Sequence, residues 1–178
     1  MIILRASGRQ AWAMPTFLAL LISMFGYIQP VAAQTVPQVN RIVVVVLENH
    51  SYAQIIGNSE APFINKMANS GATFVNSYAV AKPSQPNYLA LYSGSTYGVT
   101  DNDAHLFSGP TLASTLAKSG KRFLGYAQRT TPRKHKPWQS FVNNASYGRY
   151  FSSFPEQFSL LPHVSFVVPN NDNNMHTG

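Results

Sequence analysis

The sequence has 178 residues, of which 45% are hydrophobic and 11% are charged, and its formal net charge is +7. This length and composition indicate about one globular domain and exclude an intrinsically disordered chain, which would hold fewer apolar residues. Cysteine is absent from the sequence, which excludes disulfide bonds, thiol catalysis and thiolate zinc sites.

The amino-terminal 33 residues differ from the rest of the sequence. Arg5 and Arg9 give a basic start, an apolar run follows at 17–27, and small residues at 31–33 precede Gln34. The alternative is a membrane anchor, but a bilayer-spanning helix needs about 20 apolar residues. This run is shorter, so the pattern predicts a secretory signal peptide that is removed on export.

Removal of residues 1–33 leaves residues 34–178, with 11 basic and 6 acidic residues and a formal charge of +5. We expect this part to be periplasmic or extracellular, to have no stable membrane span, and to have no nucleic-acid partner; its oligomeric state stays open. A basic surface favours anionic partners. Its densest basic cluster is interpreted as a solvated loop, as charge runs usually are, and consists of Arg129, Arg133, Lys134, His135 and Lys136.

Strand and helix patterns alternate along residues 34–178. The β-branched run RIVVVVL at 41–47 predicts a buried strand. The other predicted strands are 73–80, 121–126 and 163–168. Predicted helices begin near a proline or end near a glycine, and they cover 61–70, 85–92 and 110–120. Residues 147–161 are rich in aromatic side chains and receive no assignment. This alternation predicts an α/β fold with a mostly parallel sheet between two layers of helices.

Polar residues follow three of these strands, at the edge where an open parallel sheet places its functional crevice. Glu48 and Asn49 follow the first strand, Ser84 follows the second, and Asp172 and His176 follow the last. The sequence therefore predicts one site built from all three places.

Ser84 lies just before the predicted helix at 85–92 and has two interpretations. It is either a nucleophile at a helix start, where N–H groups and the helix dipole favour phosphate, or an ordinary helix cap. No histidine lies nearby in the sequence, so a nucleophilic serine would need a metal ion as its activator.

Glu48 offers a carboxylate to a divalent ion, and Asn49 an amide oxygen, although both side chains also suit a turn. Asp172 and His176 are four residues apart and could meet one ion if the backbone turns helically. The remaining histidines have no partner at such a spacing and receive no ligand role; they are His50, His105, His135 and His163.

Four stretches together resemble a known family. They are Glu-Asn-His-Ser-Tyr at 48–52, Pro-Ser-Gln-Pro-Asn-Tyr-Leu-Ala-Leu-Tyr-Ser-Gly at 83–94, Gly-Val-Thr-Asp at 98–101, and Pro-Asn-Asn-Asp-Asn-Asn-Met-His at 169–176. They resemble the phosphoesterases that include acid phosphatases and phosphatidylcholine-type phospholipases C, in the alkaline phosphatase superfamily. The second stretch is also similar to the nucleophile segment of nucleotide pyrophosphatases, with Ser84 in the place of threonine.

The resemblance implies a three-layer α/β/α fold and a metal-dependent phosphate-ester hydrolase that acts through a phosphoserine. Ser84 would be the nucleophile and a metal ligand, and Asn87 would donate hydrogen bonds to the phosphoryl oxygens. His176 would be either a metal ligand or the acid that protonates the leaving group. The remaining ligands implied are Glu48, Asn49 and Asp172. The ion would be zinc, calcium, magnesium or manganese.

The sequence departs from the family where it stops, at Gly178. Members of the family continue past the Asp-x-x-x-His cluster, and a later strand supplies an aspartate pair to the metal site. We therefore expect residues 34–178 to be the amino-terminal part of a catalytic domain. The alternative is a truncated, non-catalytic exported remnant that binds anions or partners.

Overall fold

The computed structural model describes residues 38–177, and the predicted signal peptide lies outside this range. Within it, the strands are β1 (Ile42–Val45), β2 (Phe123–Ala127), β3 (Gly148–Tyr150) and β4 (Val164–Val168). The α-helices are α1 (Tyr52–Ile55), α2 (Pro62–Ser70), α3 (Ser84–Ser93) and α4 (Leu112–Lys118). Short 3₁₀ helices cover Arg133–His135, Pro137–Ser140, Ala145–Tyr147, Phe151–Ser153 and Phe158–Leu160.

The four strands form one sheet in the order β1-β4-β2-β3, and every pairing in it is parallel. The predicted α/β fold with a parallel sheet is confirmed. β4 is central: Val164 pairs with Ile42 of β1 on one side and with Phe123 of β2 on the other. Residues 164–168 are therefore largely buried, as expected for a strand with neighbours on both sides.

Helix α3 packs its apolar side into the core. Tyr88, Leu89 and Tyr92 are at most 4% exposed, and the ring of Tyr92 contacts Phe123 and Phe166 of the sheet. Gly94 ends the helix in the left-handed conformation that glycine adopts readily, at φ 78°. This packing fixes the amino-terminal end of α3 relative to the ends of the strands.

Trp138 occupies a notch formed by two glycines of the sheet. Gly125 of β2 and Gly148 of β3 are register partners, and a Cβ atom at either one would overlap the indole ring. Trp138 is only 2% exposed. The notch therefore anchors to the sheet the loop that precedes Trp138, residues 131–137.

The predicted strand at 73–80 is wrong. The segment is irregular, and its apolar side chains Phe74, Val75 and Tyr78 are exposed. Its apolar pattern suited a strand, but a strand also needs a neighbour for its backbone, and among residues 38–177 the sheet offers none there. The backbone N–H groups of Val80 and Ala81 donate instead to the side chain of Asn87.

Within residues 38–177, no helix is both long enough and apolar enough to cross a lipid bilayer.

Candidate active site

A cleft of about 1460 Å³ opens where β1 ends and α3 begins. One wall is formed by the residues after β1, including Glu48 and Asn49, and the other by residues 77–84 with the first turn of α3. Lys134 and His176 also line it. The structure thus brings Glu48, Asn49, Ser84, Asn87 and His176 to one cleft.

Glu48 is held at the base of this cleft by its backbone. Its N–H group donates to the carbonyl oxygen of Asn174 at 2.7 Å, which joins the end of β1 to the turn that carries His176. The Glu48 Oε1 atom consequently lies 4.0 Å from His176 Nε2, and it lies 3.1 Å from His135 Nε2. Two imidazoles therefore face one carboxylate oxygen.

His135 is a site residue that the sequence analysis missed. It is fully buried, and its ring stacks on Tyr88 with centroids 4.7 Å apart. The interpretation of the basic cluster as a solvated loop was thus wrong for His135, because the anchored Trp138 three residues later draws this loop inward. In the sequence, Pro137 and Trp138 follow the charged residues directly, and this apolar pair was the available indication that part of the loop is buried.

The carboxylate of Glu48 is ionised in these surroundings. Burial opposes ionisation, but the close approach of His135 and the charges of His135, His176 and Lys134 outweigh it and lower the pKa of Glu48. His135 Nε2 lies 3.1 Å from Glu48 Oε1, yet both atoms lack a hydrogen-bond partner of good geometry within the described residues.

Ser84 is the first residue of α3, and the capping position belongs to Pro83. Since the cap is Pro83 rather than Ser84, the capping interpretation of Ser84 is not supported. The helix end offers few donors to an anion, because Asn102 Oδ1 accepts the N–H of Gln85 at 3.1 Å and Pro86 has no N–H. Ser84 is among the residues that line the cleft.

Asn87 has a different set of partners from those that the resemblance implies. Its Nδ2 group donates to the carbonyl oxygens of Ala81 at 2.7 Å and Pro83 at 3.0 Å. Its Oδ1 atom accepts from the N–H groups of Val80 and Ala81. The amide therefore fixes the segment before Ser84, and its two N–H donors are already used in this structure.

Asp172 and His176 do not come together. The residues from 171 to 175 form turns rather than a helix, so the two side chains diverge. Asp172 is exposed and interacts with Asn170 and Thr177, whereas His176 lines the cleft. The structure brings only His176 to Glu48.

Three of the four histidines without a predicted ligand role lie apart from Glu48. His50 is exposed at the cleft rim. His163 Nδ1 accepts from the N–H of Arg122 at 3.1 Å, and His105 Nε2 lies 2.6 Å from Asp101 Oδ1. His105 and His163 thus have structural partners.

The chemistry of the cleft fits a divalent cation. Glu48 Oε1, His135 Nε2 and His176 Nδ1 are buried polar atoms without a hydrogen-bond partner in the described residues, and such atoms are rarely left unsatisfied. Carboxylate oxygen and imidazole nitrogen both ligate zinc and related ions. Within residues 38–177, however, no three acidic or histidine side chains converge as a complete ligand set.

The described residues thus form an α/β protein whose parallel sheet has serine, glutamate and histidine side chains near its carboxyl edge, where such folds usually place their functional crevice. A sequence model described as Phosphoesterase family matches residues 58–178. The chain therefore belongs to the phosphoesterase family.

Curated relatives carry phosphatase names. The chain is similar to phosphatidylinositol-3-phosphatase of Mycobacterium tuberculosis, with 41% identity over 179 residues that cover 90% of this chain and 60% of that protein. It is also similar to the phosphate-repressible acid phosphatase of Penicillium chrysogenum, with 30% identity over 64% of this chain and 34% of that protein. An acid phosphatase of Aspergillus fumigatus is 29% identical over 77% of this chain and 36% of that protein. The chain thus spans between a third and three fifths of these relatives' lengths.

Proposed function

We propose that the chain carries the nucleophile-bearing part of a metal-dependent hydrolase of phosphate esters that acts through a phosphoserine at Ser84. The observation that carries this proposal is that Ser84 and Glu48 line the same cleft, at the start of α3 and the end of β1. The phosphatase names of the relatives support it. We place the activity in the periplasm or outside the cell, on the strength of the predicted signal peptide.

The reaction consists of two in-line displacements. In the first, Ser84 Oγ attacks phosphorus, loses its proton to solvent or to a basic group of the cleft, and the bond between phosphorus and the leaving oxygen breaks. His176, which lines the cleft, would donate a proton to that oxygen where it does not itself bind the metal ion. In the second, water attacks phosphorus and loses a proton, the bond to Ser84 breaks, Ser84 Oγ regains a proton, and inorganic phosphate leaves.

Glu48, Asn49, Ser84 and His176 would hold the divalent ion, which when bound stabilises charge on the attacking and leaving oxygens. Asp172 is left out of this set, since it points away from the cleft in the structure. Zinc, calcium, magnesium and manganese all accept these donor types to different degrees. The orphaned polar atoms around Glu48 support an ion at this place.

Lys134 gives the cleft its preference for anions. It is half-buried, lines the cleft, and lowers the pKa of Glu48 by its charge. A phosphate ester with two negative charges gains more from this cation than a diester with one. We therefore propose phosphomonoesters as the substrate class.

The test is hydrolysis of a chromogenic aryl phosphate by the purified chain, after removal of metals by a chelator and then with each divalent ion in turn. Wild type should turn over only with metal. Glu48→Ala should lose at least about 100-fold in kcat/KM, because loss of a side chain that supports a metal ligand already costs about 10- to 100-fold and Glu48 is proposed to bind the metal itself. Glu60→Ala is the matched control, since Glu60 is exposed and outside the cleft lining. Absence of turnover from folded, metal-loaded chain would favour the non-catalytic remnant.

Tyr88 should matter through both its ring and its hydroxyl. Burial and the nearby Glu48 charge raise the pKa of Tyr88, so its hydroxyl stays protonated and lies 3.4 Å from Glu48 Oε2, while its ring stacks on His135. We expect Tyr88→Phe, which keeps the stack, to cost about threefold to tenfold in kcat, and Tyr88→Leu about tenfold more. Steady-state kinetics checks this order, and equal losses in the two variants would contradict the role of the ring.

A further inference from the structure

Arg133 connects the loop of His135 to three other parts of the chain. Its guanidinium donates to the backbone carbonyl oxygen of His105 at 2.6 Å and that of Asp103 at 3.3 Å. It also donates to Gln85 Oε1 at 3.2 Å and to Ser140 Oγ at 3.3 Å. One side chain thus joins the 3₁₀ helix Arg133–His135 to the loop after α3, to α3 itself and to the loop ahead of β3.

Gln85 is the partner that links this network to the candidate nucleophile. It directly follows Ser84 and is 1% exposed. Its Nε2 group donates to Asp103 O at 2.8 Å, the same oxygen that Arg133 contacts, and its backbone N–H donates to Asn102 Oδ1 at 3.1 Å. The first turn of α3 is therefore fixed to the loop at 101–105 by three groups that share partners.

We propose that Arg133 is a positioning residue that holds the turn of His135 in place relative to Ser84 at the start of α3. This inference rests on the proposed function. Arg133 is not among the residues lining the cleft, so it acts through others: it shares a single 3₁₀ turn with His135 and bonds to the residue after Ser84. A planar guanidinium with five donors can serve four acceptors at once, whereas a lysine ammonium has three donors and no such spread.

Misplacement of reacting groups by about 1 Å costs on the order of 100-fold in rate. We therefore expect Arg133→Gln to lower kcat on an aryl phosphate by about 10- to 100-fold while KM changes by less than about threefold, because the substrate contacts remain. Arg133→Lys should not restore kcat. Added guanidinium ion should restore part of the kcat of Arg133→Ala, which a general loss of stability would not allow.

The matched control is Arg149→Gln. Arg149 also donates to backbone carbonyl oxygens, those of Ser146 and Gly148, but it lies on strand β3 outside the cleft lining. Its substitution should leave kcat within about twofold of wild type, as expected for a surface change away from the site.

A double-mutant cycle tests whether Arg133 acts through Gln85. Gln85→Met keeps the size of the side chain and removes its polar atoms. If the two residues work as one unit, the double variant should lose about as much kcat as Arg133→Gln alone. Additive losses, or a full effect of Arg133→Gln with normal kcat in Gln85→Met, would overturn the proposal.

Hydrogen exchange separates this proposal from the proposed function. The N–H groups of His135 and Lys136 donate to Pro132 O and Arg133 O at 3.1 and 2.8 Å. In Arg133→Gln these two amides should exchange at least about tenfold faster, while the amide of Leu89 in α3 should not change. This exchange measurement tests the positioning role even if the chain shows no turnover. If wild type is inactive but its His135 and Lys136 amides exchange slowly, the result counts against the proposed function and not against the role of Arg133. Unchanged exchange at His135 and Lys136 would overturn the role of Arg133.

Discussion

Ser84→Ala should abolish hydrolysis of an aryl phosphate, with kcat falling by about 10⁴-fold or more. A nucleophile that forms a covalent intermediate cannot be replaced by the surrounding groups, and losses of this size follow removal of serine nucleophiles elsewhere. Ser84 is not the capping residue of α3, a position that Pro83 holds. The substitution should therefore leave the unfolding midpoint unchanged to within about 2 °C.

Ser93→Ala is the matched control at the other end of the same helix. The Ser93 hydroxyl donates to Leu89 O at 2.7 Å within α3 and takes no part in the cleft. Its loss should change kcat by less than about twofold. The decisive measurement adds a burst or trapping experiment, in which wild type but not Ser84→Ala retains phosphate covalently. Retention of turnover by Ser84→Ala would show that another group attacks phosphorus.

Gly125→Ala should have the largest effect on stability of any glycine-to-alanine change among residues 38–177. Its new Cβ atom would overlap the Trp138 ring, and neither the strand backbone nor the buried indole can move away easily. Overpacking of this kind costs about 1–3 kcal/mol or more, which corresponds to a fall of about 4–10 °C in the unfolding midpoint of a chain this size. Thermal unfolding followed by circular dichroism checks the shift.

Two companion variants establish the cause. Gly71→Ala is the control, because Gly71 is exposed, has extended backbone, and its added Cβ would meet only Met67 O at 3.3 Å; we expect a change within about 0.5 kcal/mol. Trp138→Leu should destabilise by itself but reduce the additional cost of Gly125→Ala. A full cost of Gly125→Ala in the Trp138→Leu background would show that the clash is not with the indole.

Patterns of local sequence predicted most of the fold. The run at 41–47 and the residues at 163–168 are β-branched enough to identify β1 and β4, and proline starts located α3 and α4 near their observed bounds. The predicted burial of the first strand was wrong, because β1 is an edge strand among residues 38–177 and is largely exposed. The segment at 73–80 failed because its apolar alternation is a local property, whereas strand formation depends on a neighbouring strand. Nothing within the segment specifies whether that neighbour is present.

Site residues could be predicted from the sequence where they lie at the end of a strand or helix. They could not be predicted where their position depends on contacts between residues far apart in the sequence. Glu48 follows β1 as expected, but the strand expected ahead of Ser84 is absent, and Ser84 lines the cleft because it begins α3. His135 lies 87 residues after Glu48 in the sequence, and it is brought inward by tertiary contacts of its loop, those of Trp138 with Gly125 and Gly148 and those of Arg133 with residues 103 and 105. Asp172 was included for its position after the last strand, its spacing from His176 and the resemblance, but it is exposed and is not among the residues that line the cleft.

The outer edge of β1 has a consequence for the behaviour of the chain in solution. Among residues 38–177, β1 pairs only with β4, and because N–H groups alternate along a strand, those of Val43 and Val45 point away from it. Natural edge strands usually carry a lysine, a proline or a bulge that discourages association. Strand β1 instead reads Ile-Val-Val-Val, and its Val43 and Val45 side chains are exposed. We therefore expect residues 38–177, prepared alone, to associate through this edge at high concentration.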